Sequence, residues 1–216
     1  MRYLFFDFDG TIADTQEGII NALEYMVEKL DMENLGKDVY RQFIGPSLTY
    51  SLKKFYPDFP KERYPEAIKA YQAFYNTKGV YQLKIYPHMK DTLEKLDAAG
   101  YKLYVSSVKP ESLIKKLIPH LGLENYFSGL YGASDDEMTR TAKTEILKYG
   151  MQSAGVDSKQ TVMIGDRLTD MKGGIDNGVH TLGVLYGFGD RQELEESGAQ
   201  EIAKEVVDIP ETIKKF

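Results

Sequence analysis

The sequence predicts an α/β fold, a doubly wound parallel sheet that carries an inserted α-helical domain. Short apolar runs recur along the chain with helical segments between them, which is the alternation of parallel βαβ units. The long segment between Phe6 and Tyr101 departs from this alternation, because its periodicity is helical and it contains no convincing strand. With 216 residues, 42% of them hydrophobic, the chain is long enough for one moderate domain with such an insert.

Five apolar runs are predicted to form the strands of the sheet. They occupy residues 3–6, 102–106, 129–131, 161–164 and 181–185. The core domain is predicted to comprise residues 1–14 and 83–216, and the inserted helical domain residues 15–82. The chain is expected to return to the core through a helix over residues 91–99, which Gly100 ends.

The insert is predicted to begin with an amphipathic helix. Its apolar residues recur at spacings of three and four, as on one face of a helix, at Ile19, Leu23, Met26, Val27 and Leu30. Asp14 and Glu17 stand three residues apart just before this face, as the two members of a reciprocal N-terminal cap.

A second helix of the insert is predicted over residues 65–78. Pro65 stands where the first turn of a helix tolerates proline, and the side chains of Ile68, Tyr71 and Tyr75 share one face. We expect these three side chains to be buried.

The charge balance excludes one class of partner. The chain has 33 acidic and 27 basic residues, a net charge of −6, and no long basic run that would neutralise a phosphate backbone. A nucleic acid polymer is therefore not an expected partner.

The absence of cysteine excludes disulfides, thiolate nucleophiles and zinc held by sulfur. The N-terminal run MRYLFFDFDG is apolar for only a few residues, which is too short for a signal peptide or a membrane span. We expect a soluble, cytoplasmic protein without a membrane partner.

The strongest chemical signal is the run Asp7-Phe8-Asp9-Gly10-Thr11 at the end of the first strand. Side chains two residues apart in a strand point to the same side, so Asp7 and Asp9 are expected to face one point. Two carboxylates about 4 Å apart repel by about 4 kcal/mol at an effective dielectric constant of about 20, so the pair needs a cation, a shared proton or strong donors. Gly10 permits close backbone approach, and the amides up to Thr11 are expected to point at an anion.

A second acidic motif follows the fourth strand. Asp166 stands at the end of that strand, and Asp170 lies one helical turn later on the same side. Clustered oxygen ligands of this kind suit Mg²⁺. The 3 histidines are far apart in the sequence and form no recognisable cluster, which leaves Asp9 as the expected acid and base.

The DxDGT sequence resembles the defining motif of the haloacid dehalogenase superfamily, whose further motifs can be matched in order along essentially the whole chain. The resemblance implies that Asp7 is a phosphoryl-accepting nucleophile with Asp9 as its acid/base partner. It places the phosphoryl-binding hydroxyl at Ser107, with Ser106 as the alternative, and the phosphate-binding lysine at Lys143.

The resemblance also implies a Mg²⁺ site and a helical cap domain. The protein ligands would be Asp7, the backbone carbonyl of Asp9, and Asp166, with Asp170 in support. Contacts to phosphate are expected from Gly10, Thr11, Ser107 and Lys143. In this superfamily a cap domain enters directly after DxDGT, where the insert begins here, and its closure keeps water away during phosphoryl transfer.

Two loops resemble those of the phosphoglycolate phosphatase subgroup. Residues 41–48 resemble its cap loop, so Arg41 and Gly45 are expected to influence the choice of substrate. Residues 186–189 resemble its loop after the last core strand.

The expected function is Mg²⁺-dependent hydrolysis of a small phosphate monoester, of the phosphoglycolate phosphatase type, through a phospho-aspartate. The exact ester is left open, because Val108 stands where many members of the subgroup have asparagine and Ser47 replaces a second proline common there. A 5′-nucleotidase or a sugar phosphomutase of the same superfamily is the alternative. The partner is expected to be a small phosphorylated metabolite, and both a monomer and a dimer are open.

Two further classes are disfavoured. A phospho-accepting receiver domain shares the doubly wound sheet, but two aspartates on one strand and the large insert speak against it. A binding module without activity is disfavoured because all four motifs are intact.

Overall fold

The strands and helices are taken from a computed structural model, which describes residues 2–135 and 139–216. The strands are β1 (Tyr3–Phe6), β2 (Ala13–Asp14), β3 (Lys84–Ile85), β4 (Lys102–Pro110), β5 (Phe127–Ala133), β6 (Thr161–Gly165), β7 (His180–Val184) and β8 (Glu201–Ala203). The α-helices are α1 (Gln16–Lys29), α2 (Lys37–Tyr40), α3 (Leu48–Phe55), α4 (Tyr64–Tyr75), α5 (Met89–Ala98), α6 (Glu111–His120), α7 (Lys143–Ala154), α8 (Leu168–Asp176), α9 (Arg191–Glu196) and α10 (Ile209–Ile213). Short 3₁₀ helices occupy Arg41–Phe43, Lys61–Arg63, Gly79–Tyr81, Ser158–Gln160 and Val206–Asp208.

The chain divides into two compact units. The first comprises Met1–Ala13 and Ile85–Phe216, and the second comprises Asp14–Lys84. The boundaries predicted from the sequence lie after residue 14 and before residue 83. That the second unit serves as a cap domain stays a prediction.

The first unit is built on a parallel sheet, whose six described strands have the order β5-β4-β1-β6-β7-β8. Leu4, Phe5 and Phe6 of the central strand β1 are fully buried. Such a continuous apolar strand is typical of a parallel sheet that helices cover on both faces. The predicted α/β fold with a doubly wound parallel sheet is confirmed.

The strand order reverses at β1, which places a crevice at the carboxyl ends of β1 and β6. From β1 the chain proceeds to β4 and β5 on one side, and then crosses to β6 on the other side. The Asp7 N–H donates to the Ile164 carbonyl at 2.9 Å, so the β1–β6 ladder continues to the residue at this crevice. Open α/β sheets bind their ligands at such a reversal.

An aromatic cluster fixes α7 against the sheet. The rings of Phe5 and Tyr104 stack with their centres 4.7 Å apart, and the centre of the Tyr131 ring lies 6.2 Å from that of Phe5. Leu147 of α7 belongs to the same cluster. Burial of a large apolar side chain stabilises a fold by about 1.5–3 kcal/mol. The helix that begins at Lys143 therefore has a fixed position on the sheet.

In the second unit, α1 packs against α4. The apolar face predicted for α1 is buried at Ile19, Leu23, Met26 and Val27, and Leu30 is half-buried.

The reciprocal cap predicted for Asp14 and Glu17 is wrong. The helix begins at Gln16, and the Asp14 carboxylate accepts the Gln16 N–H at 3.0 Å in a local turn. An aspartate two residues before an amide readily forms such a turn, which competes with a capping box.

The face predicted to be buried on the second helix is wrong in part. Tyr75 is buried, but Ile68 and Tyr71 are only half-buried, and Ala67 and Ala70 are buried instead. Alanine suits the close packing of two helices. The predicted buried face is instead chosen from the larger side chains, which dominate the apolar pattern of the sequence.

Several elements of the first unit differ from the prediction, among them β5, which extends over Phe127–Ala133 instead of residues 129–131. β4 continues to Pro110 instead of ending at residue 106, so Ser107 and Lys109 lie within the strand. β8 is absent from the prediction, because it is only three residues long. α5 begins at Met89 rather than at residue 91. Within the described residues, no helix has the length and apolar character required to cross a membrane.

Candidate active site

Four aspartates and two lysines meet at the carboxyl ends of β1, β4 and β6. All six are buried, with at most 8% of their surface exposed: Asp7 and Asp9 after β1, Lys109 in β4, Lys143 at the start of α7, Asp166 after β6, and Asp170 in α8. Parallel strands bring these positions to one edge of the sheet, although they are far apart in the sequence.

Lys143 lies at the centre of the cluster. Its Nζ is 2.6 Å from Asp7 Oδ1, 2.7 Å from Asp170 Oδ1, and donates to the Ser106 carbonyl at 2.8 Å. Burial alone would lower the pKa of Lys143, but Asp170 and Asp7 outweigh burial and raise the pKa above its ordinary value. The ammonium group therefore keeps its charge in the interior.

Asp166 is held by donors on both oxygens. Its Oδ2 accepts the Phe188 N–H at 2.8 Å, and its Oδ1 accepts the Thr11 hydroxyl at 3.2 Å. Gly10 has φ +83°, and a Cβ there would collide with the Asp166 carboxylate, so glycine is required at this position. Burial raises the pKa of Asp166 well above its ordinary value, and the charges of Asp170 and Asp7 raise it further.

Asp170 is anchored by the start of its own helix. Its Oδ2 accepts the Arg167 N–H at 3.0 Å. Burial raises the pKa of Asp170 from its ordinary value of 3.8 to about 6, although Lys143 opposes this shift and Asp7 adds to it.

The donor set fits a hard divalent cation. Asp7, Asp166 and Asp170 each offer an oxygen, and these atoms all lie within 4.8 Å of one another. Burial raises the pKa values of Asp166 and Asp170, and the charge of Asp7 raises both further. Three buried carboxylate oxygens suit Mg²⁺, which prefers oxygen ligands and keeps several waters. The Asp9 carboxylate is not a member of this cluster, and the use of its backbone carbonyl as a ligand stays a prediction.

Lys109 is a site residue that the sequence analysis does not identify. Its Nζ lies 3.1 Å from Asp9 Oδ1, and the two side chains are 4% and 11% exposed. The same Nζ is 5.8 Å from the centre of the Phe8 ring. Because β4 continues to Pro110, Lys109 lies at the carboxyl end of that strand, beside Asp9. The strand predicted from the sequence ends at residue 106 and so leaves Lys109 outside it, which is why the sequence analysis misses this residue.

The two serines of β4 remain alternatives for the phosphoryl contact. Ser107 Oγ accepts the Lys109 N–H at 3.4 Å. Ser106 Oγ is buried without a hydrogen-bond partner among the described residues, while its carbonyl accepts from Lys143. A buried hydroxyl without a partner costs about 1–3 kcal/mol, so a ligand oxygen that paired with Ser106 would relieve this cost.

The amides of the loop after β1 donate hydrogen bonds within the loop. The Gly10 N–H donates to the Ala13 carbonyl at 2.9 Å, and the Thr11 N–H donates to the Phe8 carbonyl at 3.4 Å. Both amides have partners within the loop, and a phosphate-binding role for Gly10 and Thr11 stays a prediction. The hydroxyl of Tyr186 donates to the Thr11 carbonyl at 3.0 Å, which ties this loop to residues 186–189.

Arg41 and Gly45 lie in the second unit. Arg41 is exposed and begins a 3₁₀ helix. Gly45 has φ +102°, a conformation that residues with a side chain rarely adopt. Ser47 accepts the Tyr50 N–H at 3.3 Å and so caps α3. The effect of Arg41 and Gly45 on substrate choice stays a prediction.

Known proteins match nearly the whole chain. The family described as haloacid dehalogenase-like hydrolase matches residues 4–184. A Pseudomonas aeruginosa protein named 5′-nucleotidase is 33% identical over 196 residues, which cover 90% of this chain and 88% of that protein. An Aquifex aeolicus protein named phosphoglycolate phosphatase is 31% identical over 188 residues, which cover 87% of this chain and 86% of that protein.

A solved structure shares the entire fold. The crystal structure of a predicted phosphatase from Clostridium acetobutylicum superposes with a TM-score of 0.95 at 32% sequence identity. The match covers 100% of this chain and 99% of that one.

Proposed function

Because the chain belongs to the family of haloacid dehalogenase-like hydrolases, we propose that it is a Mg²⁺-dependent phosphatase that cleaves a small phosphate monoester through a phospho-aspartate on Asp7. The observation that carries the proposal is the buried contact of 2.6 Å between Lys143 Nζ and Asp7 Oδ1. A carboxylate beside a fixed cation, at the end of a parallel strand, is suited to meet an anionic substrate.

Asp7 serves as the nucleophile and Asp9 as the acid and base. A carboxylate oxygen of Asp7 attacks phosphorus, and the bond from phosphorus to the leaving oxygen breaks while Asp9 gives its proton to that oxygen. Water then attacks phosphorus and passes its proton to Asp9. The bond between phosphorus and Asp7 breaks, which releases phosphate and restores both aspartates.

The two lysines support this chemistry at different aspartates. Lys143 offsets the repulsion between Asp7 and the incoming phosphoryl group, because its ammonium is charged and fixed by three oxygens. Lys109 pairs with Asp9 Oδ1 at 3.1 Å and so orients the acid/base carboxylate. The phosphoryl oxygens are proposed to accept a hydrogen bond from Ser107 or Ser106.

The residues that would hold Mg²⁺ are Asp7, Asp166 and the backbone carbonyl of Asp9, with Asp170 in support. When bound, the ion supplies positive charge to the phosphoryl oxygens and helps to orient them. Carboxylate oxygens of Asp7, Asp166 and Asp170 lie within 4.8 Å of one another, which supports this ligand set.

The substrate is proposed to be a small phosphorylated metabolite of the phosphoglycolate type. The relative named 5′-nucleotidase, at 33% identity, favours 5′-nucleotides as the second candidate. A sugar phosphomutase of the same superfamily is the remaining alternative. Steady-state turnover of 2-phosphoglycolate, 5′-mononucleotides and sugar phosphates, with Mg²⁺ and with excess chelator, separates these cases.

The phospho-aspartate is tested by acid-quenched mass spectrometry with p-nitrophenyl phosphate. Asp9→Asn keeps the nucleophile and should carry one phosphoryl group, because this leaving group departs without a proton. Asp7→Asn should carry none and show no turnover. Asp157→Asn removes an exposed aspartate from a 3₁₀ helix cap and serves as the matched control. Turnover by Asp7→Asn at a rate near that of the control rules out the assignment.

A further inference from the structure

Arg140 makes contacts that the proposed reaction does not explain. Its Nε–H donates to the Gly132 carbonyl at 3.0 Å, and an Nη2–H donates to Glu111 Oε2 at 3.1 Å. Its guanidinium carbon lies 3.8 Å from the centre of the Tyr149 ring. The hydrogen bonds restrain the guanidinium within its plane, and the ring on its face restrains it perpendicular to that plane.

The backbone around Arg140 is held as well. Its N–H donates to Ser134 Oγ at 3.0 Å, and its carbonyl accepts the Ser134 N–H at 2.9 Å. The next two amides, of Thr141 and Ala142, donate to the Glu145 carboxylate at 3.1 and 3.2 Å. The three residues that lead into α7 are therefore each fixed by a hydrogen bond.

One partner of Arg140 lies next to a strand that carries the site. Glu111 is the first residue of α6 and directly follows β4. Its Oε2 also accepts the Gly132 N–H at 3.3 Å, and a Cβ on Gly132 would collide with the Glu111 backbone. Arg140 thus joins the end of β5 and the start of α6 to the residues just before Lys143.

We propose that Arg140 is a positioning residue that fixes Lys143 beside Asp7 and the Ser106 carbonyl. The inference rests on the proposed function, since it takes Lys143 to act in phosphoryl transfer. Lys143 is the first residue of α7, so a displaced backbone would move its ammonium away from oxygens at 2.6 and 2.8 Å. A buried ammonium depends strongly on such partners, and a long side chain loses entropy when fixed, so support from the backbone is needed.

Kinetics of Arg140 variants give the first test. Arg140→Met keeps the apolar stem but loses the charge and both donors, and kcat should fall by about tenfold to a hundredfold. Arg140→Lys keeps the charge without the planar pair of donors, and should recover part of this loss. Arg63→Met is the matched control, because Arg63 also pairs with a glutamate at 2.8 Å and lies 5.1 Å from the centre of an aromatic ring, but is exposed in the second unit. Its kcat should equal that of the wild type.

A double-mutant cycle separates positioning of Lys143 from general support of the fold. Calorimetry with orthovanadate and Mg²⁺ measures the affinity of the wild type, Arg140→Met, Lys143→Met and the double variant. Arg140→Met should weaken vanadate binding about tenfold in the wild type and less than about twofold when Lys143 is already absent. If Arg140→Met does not fold, the same cycle is run with Arg140→Lys.

The outcomes are distinguishable. Equal losses of vanadate affinity in both backgrounds, or a wild-type kcat for Arg140→Met, would overturn the positioning role. Wild-type turnover by Lys143→Met would instead contradict the proposed function, because that result removes Lys143 from the reaction altogether.

Discussion

Gly173 of α8 lies against the side chain of Lys143, so closely that a Cβ on Gly173 would stand 2.7 Å from Lys143 Cγ. The same Cβ would stand 3.2 Å from Lys143 Cβ and 3.3 Å from its backbone carbonyl carbon. These atoms lie near the root of the lysine, where they have little freedom to move. The absence of a side chain at position 173 therefore leaves room for the Lys143 side chain to reach Asp7.

Gly173→Ala should displace Lys143 and lower kcat. A displacement of about 1 Å at a reacting group costs up to about a hundredfold in rate, and we expect a loss of about tenfold or more. Gly174→Ala is the matched control on the same helix, because its Cβ would stand 2.5 Å from Thr181 Cγ2 and would not meet Lys143. It should cost about 1–3 kcal/mol of stability through overpacking and keep its kcat once folded. Equal kcat values for the two folded variants would contradict the role of Gly173.

Lys143 should also stabilise the metal-free protein. Lys143→Met leaves Asp7 and Asp170 buried without their cation, and breaking a buried pair in this way costs about 3–5 kcal/mol. Urea unfolding in excess chelator measures the loss. Lys214→Met removes an exposed lysine that pairs with Glu211, and should change the free energy of unfolding by less than about 1 kcal/mol. Similar losses for the two variants would show that Lys143 does not compensate the aspartates.

The fold is predictable because apolar runs mark strands that are buried on both faces. Leu4, Phe5 and Phe6 show this in the central strand β1. β8 escapes prediction because it lies at the edge of the sheet, where three residues provide too short a pattern. The buried face of α4 escapes because Ala67 and Ala70 carry little hydrophobic signal, although their small size suits close packing.

The site is predictable where its residues stand at strand or helix ends. Asp7, Asp166 and Lys143 do so, and the structure brings them to one edge of the sheet. Lys109 and Arg140 are not predictable in this way, because their importance depends on side chains distant in sequence or on the extension of β4 to Pro110.

The pH dependence of Mg²⁺ binding follows from Asp170. Its pKa is about 6 in the folded protein against an ordinary 3.8, so the folded state binds this proton more tightly than the unfolded state does. Asp170 should therefore contribute a loss of stability to the metal-free protein as the pH rises from about 4 to about 6. Mg²⁺ competes with the proton, so the increase in Tm on adding Mg²⁺ should grow over the same range.

Thermal unfolding with Mg²⁺ and with chelator, across this pH range, measures both effects. Asp170→Asn removes this proton, so its metal-free Tm should increase relative to that of the wild type as the pH rises through the range, while the raised pKa of Asp166 acts in the same direction in both proteins. A Tm difference between metal-free Asp170→Asn and wild type that falls as the pH rises through the range would contradict the sign of this prediction.

Arg41 and Gly45 are expected to change the choice of substrate more than the chemistry, but the structure makes them unequal tests. Gly45 has φ +102°, so any side chain there strains the backbone, and a lower rate would mix folding with recognition. Arg41 is exposed, and Arg41→Ala removes the charge without such strain.

Arg41→Ala should lower kcat/KM for the natural ester by about tenfold to a hundredfold, which corresponds to about 1.4–2.7 kcal/mol, and should affect a small generic ester much less. Gly45→Ala should lower Tm. Its effect on substrate choice is therefore judged only from losses of kcat/KM that differ between esters, compared at equal folded fraction. Lys37→Ala, on an exposed residue of the preceding helix α2, controls for loss of positive charge in the same unit. Measuring the three variants against phosphoglycolate, a 5′-nucleotide and p-nitrophenyl phosphate decides the matter, because equal losses on every ester would mean that the loop serves only the fold.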